Sequence, residues 1–245
     1  MTAAHPARPT KPRVWVTRAE PGAARTAARL RDMGFEPLVQ PLLEVESLTP
    51  PLPDLDRFAA LVFTSANGVA AFAALTPRRD RPVFAVGETT ATAARTAGFV
   101  GVRSADGDLA DLARLISAEL SDAALLAPQA ETPAGDLADA LATTKARDVT
   151  VETLTVYRTI AAPWRAPSDF DAVLIHSPRA GRILAAWLGE GGRARAAEAV
   201  YACISSAAAA PLASIGLAPT VAERPDEATL SETLKAALGK RDAPV

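Results

Sequence analysis

The chain has 245 residues, 49% of them apolar, a net charge of −2 and one cysteine. That is material for one large domain or two of ordinary size, and it excludes a basic nucleic-acid footprint. Cys203 cannot pair internally and fits a reducing cytoplasm, the two histidines and the cysteine lie too far apart for metal-ligand spacing, and no apolar run reaches the ~20 residues of a membrane helix.

Residues Met1 to Pro12 hold three prolines and no apolar core, so they read as a frayed tail and not a signal peptide. Val14-Trp15-Val16 is the first expected strand, ending at Thr17-Arg18. A helix over about 21–33 follows, with Pro21 in its first turn and Gly34 past its end. Glu36 to Glu46 is extended, because Pro37 and Pro41 bar a helix. Leu48 to Pro53 is a proline-rich linker. The spacing then predicts strand 61–63, helix 66–74, strand 82–87 and helix 88–97 ending at Gly98. It predicts helix 109–120, strand 125–127, helix 133–144 and an alternating strand over 149–160. Strand 172–176, helix 179–188, a Gly-rich turn at 189–192, strand 200–204, helix 206–215 before Gly216 and helix 229–238 complete the chain. Alternating strands and helices imply parallel sheets flanked by helices.

One pattern occurs twice. Leu61-Val62-Phe63-Thr64-Ser65-Ala66-Asn67-Gly68-Val69 is echoed by Val173-Leu174-Ile175-His176-Ser177-Pro178-Arg179-Ala180-Gly181, with Ser65 and Ser177 112 positions apart. Each is a buried strand feeding a helix, with Ser as N-cap. Val86-Gly87-Glu88-Thr89-Thr90 aligns with Ile204-Ser205-Ser206-Ala207-Ala208 at an offset of 118, and Val14-Trp15-Val16-Thr17 aligns more weakly with Leu125-Leu126-Ala127-Pro128 at 111. The chain therefore reads as a duplicated half of about 110 residues. The extended stretches 36–46 and 149–160 hold equivalent places in the two halves. If they pair antiparallel, the expectation is a split lobe (1–40 with 160–245), a continuous lobe (47–148), a two-stranded crossover hinge and a ligand cleft between flavodoxin-like lobes.

These motifs resemble the uroporphyrinogen-III synthase family. The carriers are Thr17-Arg18, the Phe63–Val69 turn, Ala85-Val86-Gly87-Glu88-Thr89-Thr90-Ala91, the crossover segment Thr155-Val156-Tyr157-Arg158-Thr159, and Ser177-Pro178. Their order and spacing over nearly the whole chain are more specific than any one of them. Three departures stand out: the second Gly-x-Thr-Thr-like turn is degraded to Ile204–Ala208, His176 replaces a usual threonine, and Gln129-Ala130-Glu131 lacks a common glycine.

The resemblance implies a hydro-lyase that closes hydroxymethylbilane, a linear tetrapyrrole with eight carboxylates, expelling water and inverting the last ring. Unassisted closure gives the uninverted isomer, so the task is chiefly positioning. It implies no metal and no cofactor. Composition adds the expectation of a cytoplasmic protein with no nucleic-acid or membrane partner, and the chain is read as a monomer. Helix N-termini bind anions through free N–H groups and a positive dipole end. On that basis Thr17, Arg18, Thr64, Ser65, Ala66, Asn67, Gly87, Thr89, Thr90, Ser177, Arg179 and Ser205 are candidate substrate contacts, since turns at strand carboxyl ends line the ligand edge of open α/β sheets. Ser65, Thr89 and Ser177 taken singly read first as ordinary caps; taken together with the resemblance they read as a binding edge.

Tyr157 is the candidate for catalysis, because a phenol stays protonated at pH 7 and can donate to a leaving hydroxyl; the plainer reading is a half-buried strand tyrosine. His176, Cys203 and the tryptophans Trp15, Trp164 and Trp187 read as structural. No phosphate loop and no Gly-x-Ser-x-Gly elbow is present. The alternative is a non-catalytic two-lobe binding or sensor protein for an anionic ligand. A weaker third reading is a sugar- or nucleotide-binding enzyme on a similar scaffold.

Overall fold

The computed structural model describes residues 11–241 except 145–147, 193–195 and 197. The expected tail therefore lies almost wholly outside the described residues. The chain divides into two compact units, Met1–Glu44 with Ile160–Val245, and Val45–Thr159. Among the described residues no helix is long and apolar enough to cross a membrane.

In the first unit β1 (Arg13–Val16) leads through α1 (Gly22–Asp32) to β2 (Glu36–Val39). Val14, Trp15 and Val16 are all fully buried, as an uninterrupted apolar run must be when both faces of a sheet are covered. The chain leaves through β3 (Leu43–Ser47) and a 3-10 turn at Leu55–Arg57. The second unit is β4 (Ala60–Phe63), α2 (Ala66–Leu75), β5 (Val83–Ala85), α3 (Glu88–Thr96), β6 (Val102–Ser104), α4 (Leu109–Glu119), β7 (Ala124–Ala130), α5 (Leu137–Ala142) and β8 (Thr150–Ala161). The first unit resumes with β9 (Ala172–Ile175), α6 (Pro178–Trp187), a π turn at Leu188–Gly192, β10 (Val200–Cys203), α7 (Ser206–Ala213), β11 (Thr220–Val221) and α8 (Glu227–Arg241).

The sheet orders are β11-β10-β9-β1-β2 and β3-β8-β7-β4-β5-β6. Within each unit the pairings β1–β2, β1–β9, β9–β10, β10–β11, β7–β8, β4–β7, β4–β5 and β5–β6 are parallel. The first unit has the flavodoxin-like order. The second has the same order with its chain entered midway, so that β7, β8, β4, β5 and β6 correspond to β1, β2, β9, β10 and β11. The duplicated motifs thus sit at equivalent points of two equivalent sheets.

Helices cover both faces of each sheet. In the first unit one core joins Trp15, Val173, Leu184 and Leu212, and the other joins Val14, Val16, Leu30 and Leu234. Trp15 meets Phe170, Trp164 and Trp187 at ring-centroid distances of 5.3, 5.6 and 5.9 Å, which places the three tryptophans in packing. In the second unit Phe63, Phe72 and Phe99 fill one face and Phe84, Leu112 and Ile116 the other.

The structure departs from expectation in detail. The extended stretch 36–46 is two strands in different sheets, broken around Pro41. The helix expected over 133–144 starts only at Leu137, where Asp136 caps it by accepting from Ala138 N at 2.8 Å. Strands β6 and β11 lie outside the expected elements, since three and two residues carry no period. At the two ends of β3, where it meets β8, Leu48 N donates to Val156 O at 2.8 Å and Ala162 N to Leu42 O at 3.1 Å. Numbers rise on one strand as they fall on the other, so the pair is antiparallel.

Candidate active site

In the second unit the carboxyl ends of β4, β5, β7 and β8 surround a cavity of about 450 Å³ whose lining includes Thr64, Ser65, Asn67, Val86, Ala130 and Tyr157. Three local devices build it. Ser65, extended at φ −155°, caps α2 by accepting from Asn67 N at 3.1 Å. This fixes the first turn of α2 and leaves its other early amides to be satisfied from outside the helix. Gly68 lets that turn approach β7, because a Cβ there would stand 2.9 Å from Pro128 O.

The third device is a bulge. Gln129 pairs with Thr155 but Ala130 pairs with Tyr157, so Val156 is the extra residue. Regular pleating would send Val156 and Tyr157 to opposite faces. Instead both belong to the same core cluster. A bulge re-aims the side chain beyond it, a device often found beside functional sites. Tyr157 is buried yet contributes to the cavity wall, and Thr159 follows it there.

Thus four expected residues, Thr64, Ser65, Asn67 and Tyr157, share one cavity. Ala66 opens α2 beside them. Gly87 is the N-cap of α3 next to the lining residue Val86, and Thr89 is exposed in that helix's first turn. Thr90 is buried, and its N–H donates to Gly87 O at 3.0 Å, so its amide is already used. Glu88 adds a carboxylate to the same turn, paired with Arg95.

The remaining candidates belong to the first unit, where the equivalent edge is built differently. Thr17 is fully buried and donates its hydroxyl to Leu174 O at 2.6 Å, tying β1 to β9. Ser177 accepts from Ala180 N at 3.2 Å and Ser205 from Ala208 N at 3.3 Å, so both are working caps. Arg179 is exposed in the first turn of α6. Arg18 donates to Glu227 Oε2 at 2.9 Å. Glu227 opens α8, accepts from Thr26 Oγ1 at 2.5 Å and lies 3.2 Å from His176 Nε2. Burial pushes its pKa up. Hydrogen bonds from His176 and Thr26, with the charges of His176 and Arg18, outweigh that and hold the carboxyl at about 2.

Sequence reading missed Glu227 because its partner Arg18 is 209 positions away. It also missed Val86, Leu109, Ala130 and Thr159 in the cavity wall, apolar or plain residues that carry no chemical signal of their own.

A sequence model of the family described as Uroporphyrinogen-III synthase HemD matches residues 24–232. The chain belongs to the uroporphyrinogen-III synthase family. Solved structures agree on the fold. A uroporphyrinogen-III synthetase from Helicobacter pylori 26695 is 18% identical with a TM-score of 0.58, over 93% of this chain and 99% of that one. A mutant uroporphyrinogen III synthase from the extremely thermophilic bacterium Thermus thermophilus is 20% identical with a TM-score of 0.50, over 93% and 99%. No curated protein matches the chain. As a uroporphyrinogen-III synthase the chain is a cyclising lyase of porphyrin biosynthesis. It closes hydroxymethylbilane to uroporphyrinogen III with inversion of the last ring and loss of water. Family membership disfavours the alternative of a non-catalytic sensor.

Proposed function

We propose that the cavity at the carboxyl edge of β4, β5, β7 and β8 receives part of the linear tetrapyrrole, with Tyr157 as the proton donor. What carries this reading is one observation: Tyr157 shares a cavity of about 450 Å³ with the capped start of α2. That volume lies within the range of small-molecule pockets. Substrate carboxylates meet the early amides of α2 around Ser65 and Ala66, beside the Asn67 side chain, and those of α3 around Gly87 and Thr89, where the dipole favours negative charge. Thr64 contributes a hydroxyl.

The leaving hydroxyl takes a proton from the Tyr157 phenol and departs as water with the C–O electron pair. The adjacent pyrrole nitrogen supplies electrons to the carbon it leaves. The substituted carbon of the last ring then attacks that carbon, and the ring's original link to the chain breaks with its electron pair returning to the ring. The ring's free α-carbon bonds to the released methylene, and the proton lost there restores the Tyr157 phenol. Because departure from a pyrrole-stabilised centre is easy, most of the enzyme's contribution is orientation, for which up to about 7–11 kcal/mol is available. Thr17, Ser177 and Ser205 support the first unit's strand–helix turns, with Arg18 and Arg179 as its charged contacts to substrate. The protein acts as a cytoplasmic monomer on a small molecule, with no nucleic-acid or membrane partner. A single buried cysteine, its thiol pushed up to about 12 by burial, supports a reducing compartment.

The test supplies the linear tetrapyrrole, oxidises the products and resolves the porphyrin isomers. The inverted isomer is expected to form faster than spontaneous closure. Accumulation of the uninverted isomer alone, at the spontaneous rate, removes the catalytic reading and leaves a binding protein.

A further inference from the structure

The two equivalent sheet edges have diverged. In the first unit the carboxylate of Glu227 sits at the carboxyl ends of β1 and β9, the point where the strand order reverses and open α/β sheets take ligands. Three donors converge on it: Arg18 Nη1 at 2.9 Å, Thr26 Oγ1 at 2.5 Å and His176 Nε2 at 3.2 Å. Gly22 leaves the room that Arg18 needs, since a Cβ there would meet the guanidinium Nε at 2.4 Å. The His176 side chain is only 7% exposed, and among the described residues its Nδ1 has no partner, so the ring is held through Nε2.

By the repeat offsets, Arg18, His176 and Glu227 correspond to Gln129, Thr64 and Leu109 in the second unit. There the Arg–His–Glu triad is gone, Leu109 opens α4 as Glu227 opens α8, and the edge is an open cavity lined by Thr64 and Leu109. One edge is an open cavity lined by uncharged residues; its twin is occupied by the protein's own carboxylate.

We propose that Glu227 is a stand-in for a substrate carboxylate: it holds Arg18, Thr26 and His176 in the unloaded protein and yields Arg18 to one of the tetrapyrrole's acid arms. The exchange replaces one carboxylate with another on the same guanidinium, so no donor is left unsatisfied and no bond is made or broken covalently. The pair is accessible for it, with side-chain exposures of 31% for Arg18 and 24% for Glu227. Glu227 thereby acts as a positioning residue, keeping Arg18 extended along Gly22 between turnovers while competing with the substrate for it.

This inference rests on the tetrapyrrole reading above, and the experiment separates the two. KM for hydroxymethylbilane is measured for the wild type, Glu227→Gln, Arg18→Gln and the double variant, with products resolved by isomer. Absence of the inverted isomer with the wild type overturns the functional reading itself. With an active wild type, Glu227→Gln is expected to lower KM about fivefold, the scale of a partly exposed ion pair, and to change nothing further once Arg18 is Gln. A KM unchanged or raised in Glu227→Gln, or lowered equally in the Arg18→Gln background, overturns the stand-in role. Loss of a merely structural contact would not tighten substrate. Should Glu227→Gln fail to fold, Glu227→Asp decides, because it keeps the charge but retracts the carboxylate by one methylene. A lowered KM supports exchange and an unchanged or raised one refutes it.

Discussion

A phenol beside a leaving hydroxyl can give a proton, but how much that matters depends on how readily the hydroxyl leaves unaided. General acids contribute ~100-fold or more where departure is hard. Here the pyrrole already stabilises the carbon left behind, so Tyr157→Phe is expected to lower kcat only about tenfold while KM changes little. Full activity in that variant would remove Tyr157 from the chemistry. Glu227 yields a second prediction. Its folded pKa is about 2, against an ordinary value of 4.5. A carboxyl lowered by folding stabilises the protein above its unfolded pKa, and that contribution is lost as pH falls from about 4.5 through about 2. Urea midpoints measured across that window should fall for the wild type and fall less steeply for Glu227→Gln. Equal slopes would mean that the carboxylate is not held by Arg18, Thr26 and His176. Tyr157 was legible in the sequence because its segment has a recognisable pattern. Glu227 was not, because its partners are assembled from both ends of the chain.

Local chemistry set most element boundaries. Ser65, Ser177 and Ser205 are N-caps, and Gly34, Gly98 and Gly216 follow their helices at φ of +87°, +89° and +81°. Such signals act within a few residues and can be read from sequence. The bulge at Val156 could not be read, because it is a property of the β7–β8 pairing and not of either strand alone. Close helix contacts are similarly hidden. Gly181 in α6 faces α7, and a Cβ there would stand 2.5 Å from Ala208 O, a backbone atom unable to move alone. Gly239 in α8 has nothing within 4 Å of that position. Gly181→Ala should therefore destabilise by about 1–3 kcal/mol, whereas Gly239→Ala should stabilise by about 0.4–1 kcal/mol through helix propensity and a stiffer unfolded chain. Thermal unfolding of both variants checks this; the same sign for both would mean that α6 and α7 are not in backbone contact.

At the scale of the molecule, duplication accounts for what was readable and what was not. The offsets between the halves predicted equivalent strand–turn–helix units, and the sheets carry those units at equivalent positions. Offsets cannot say how each half has changed its edge. That took the placement of Arg18, His176 and Glu227 on one sheet and of Gln129, Thr64 and Leu109 on the other. The central claim is that the open edge of the Val45–Thr159 unit seats substrate carboxylates on helix amides. Backbone amide NMR during an oxygen-free titration with uroporphyrinogen III tests it most directly. The account predicts that the amides of Ser65, Ala66, Asn67, Gly87 and Thr89 shift together and saturably, with Tyr157 among them. Saturable binding that leaves those amides unmoved, with the shifts gathered elsewhere, would contradict it.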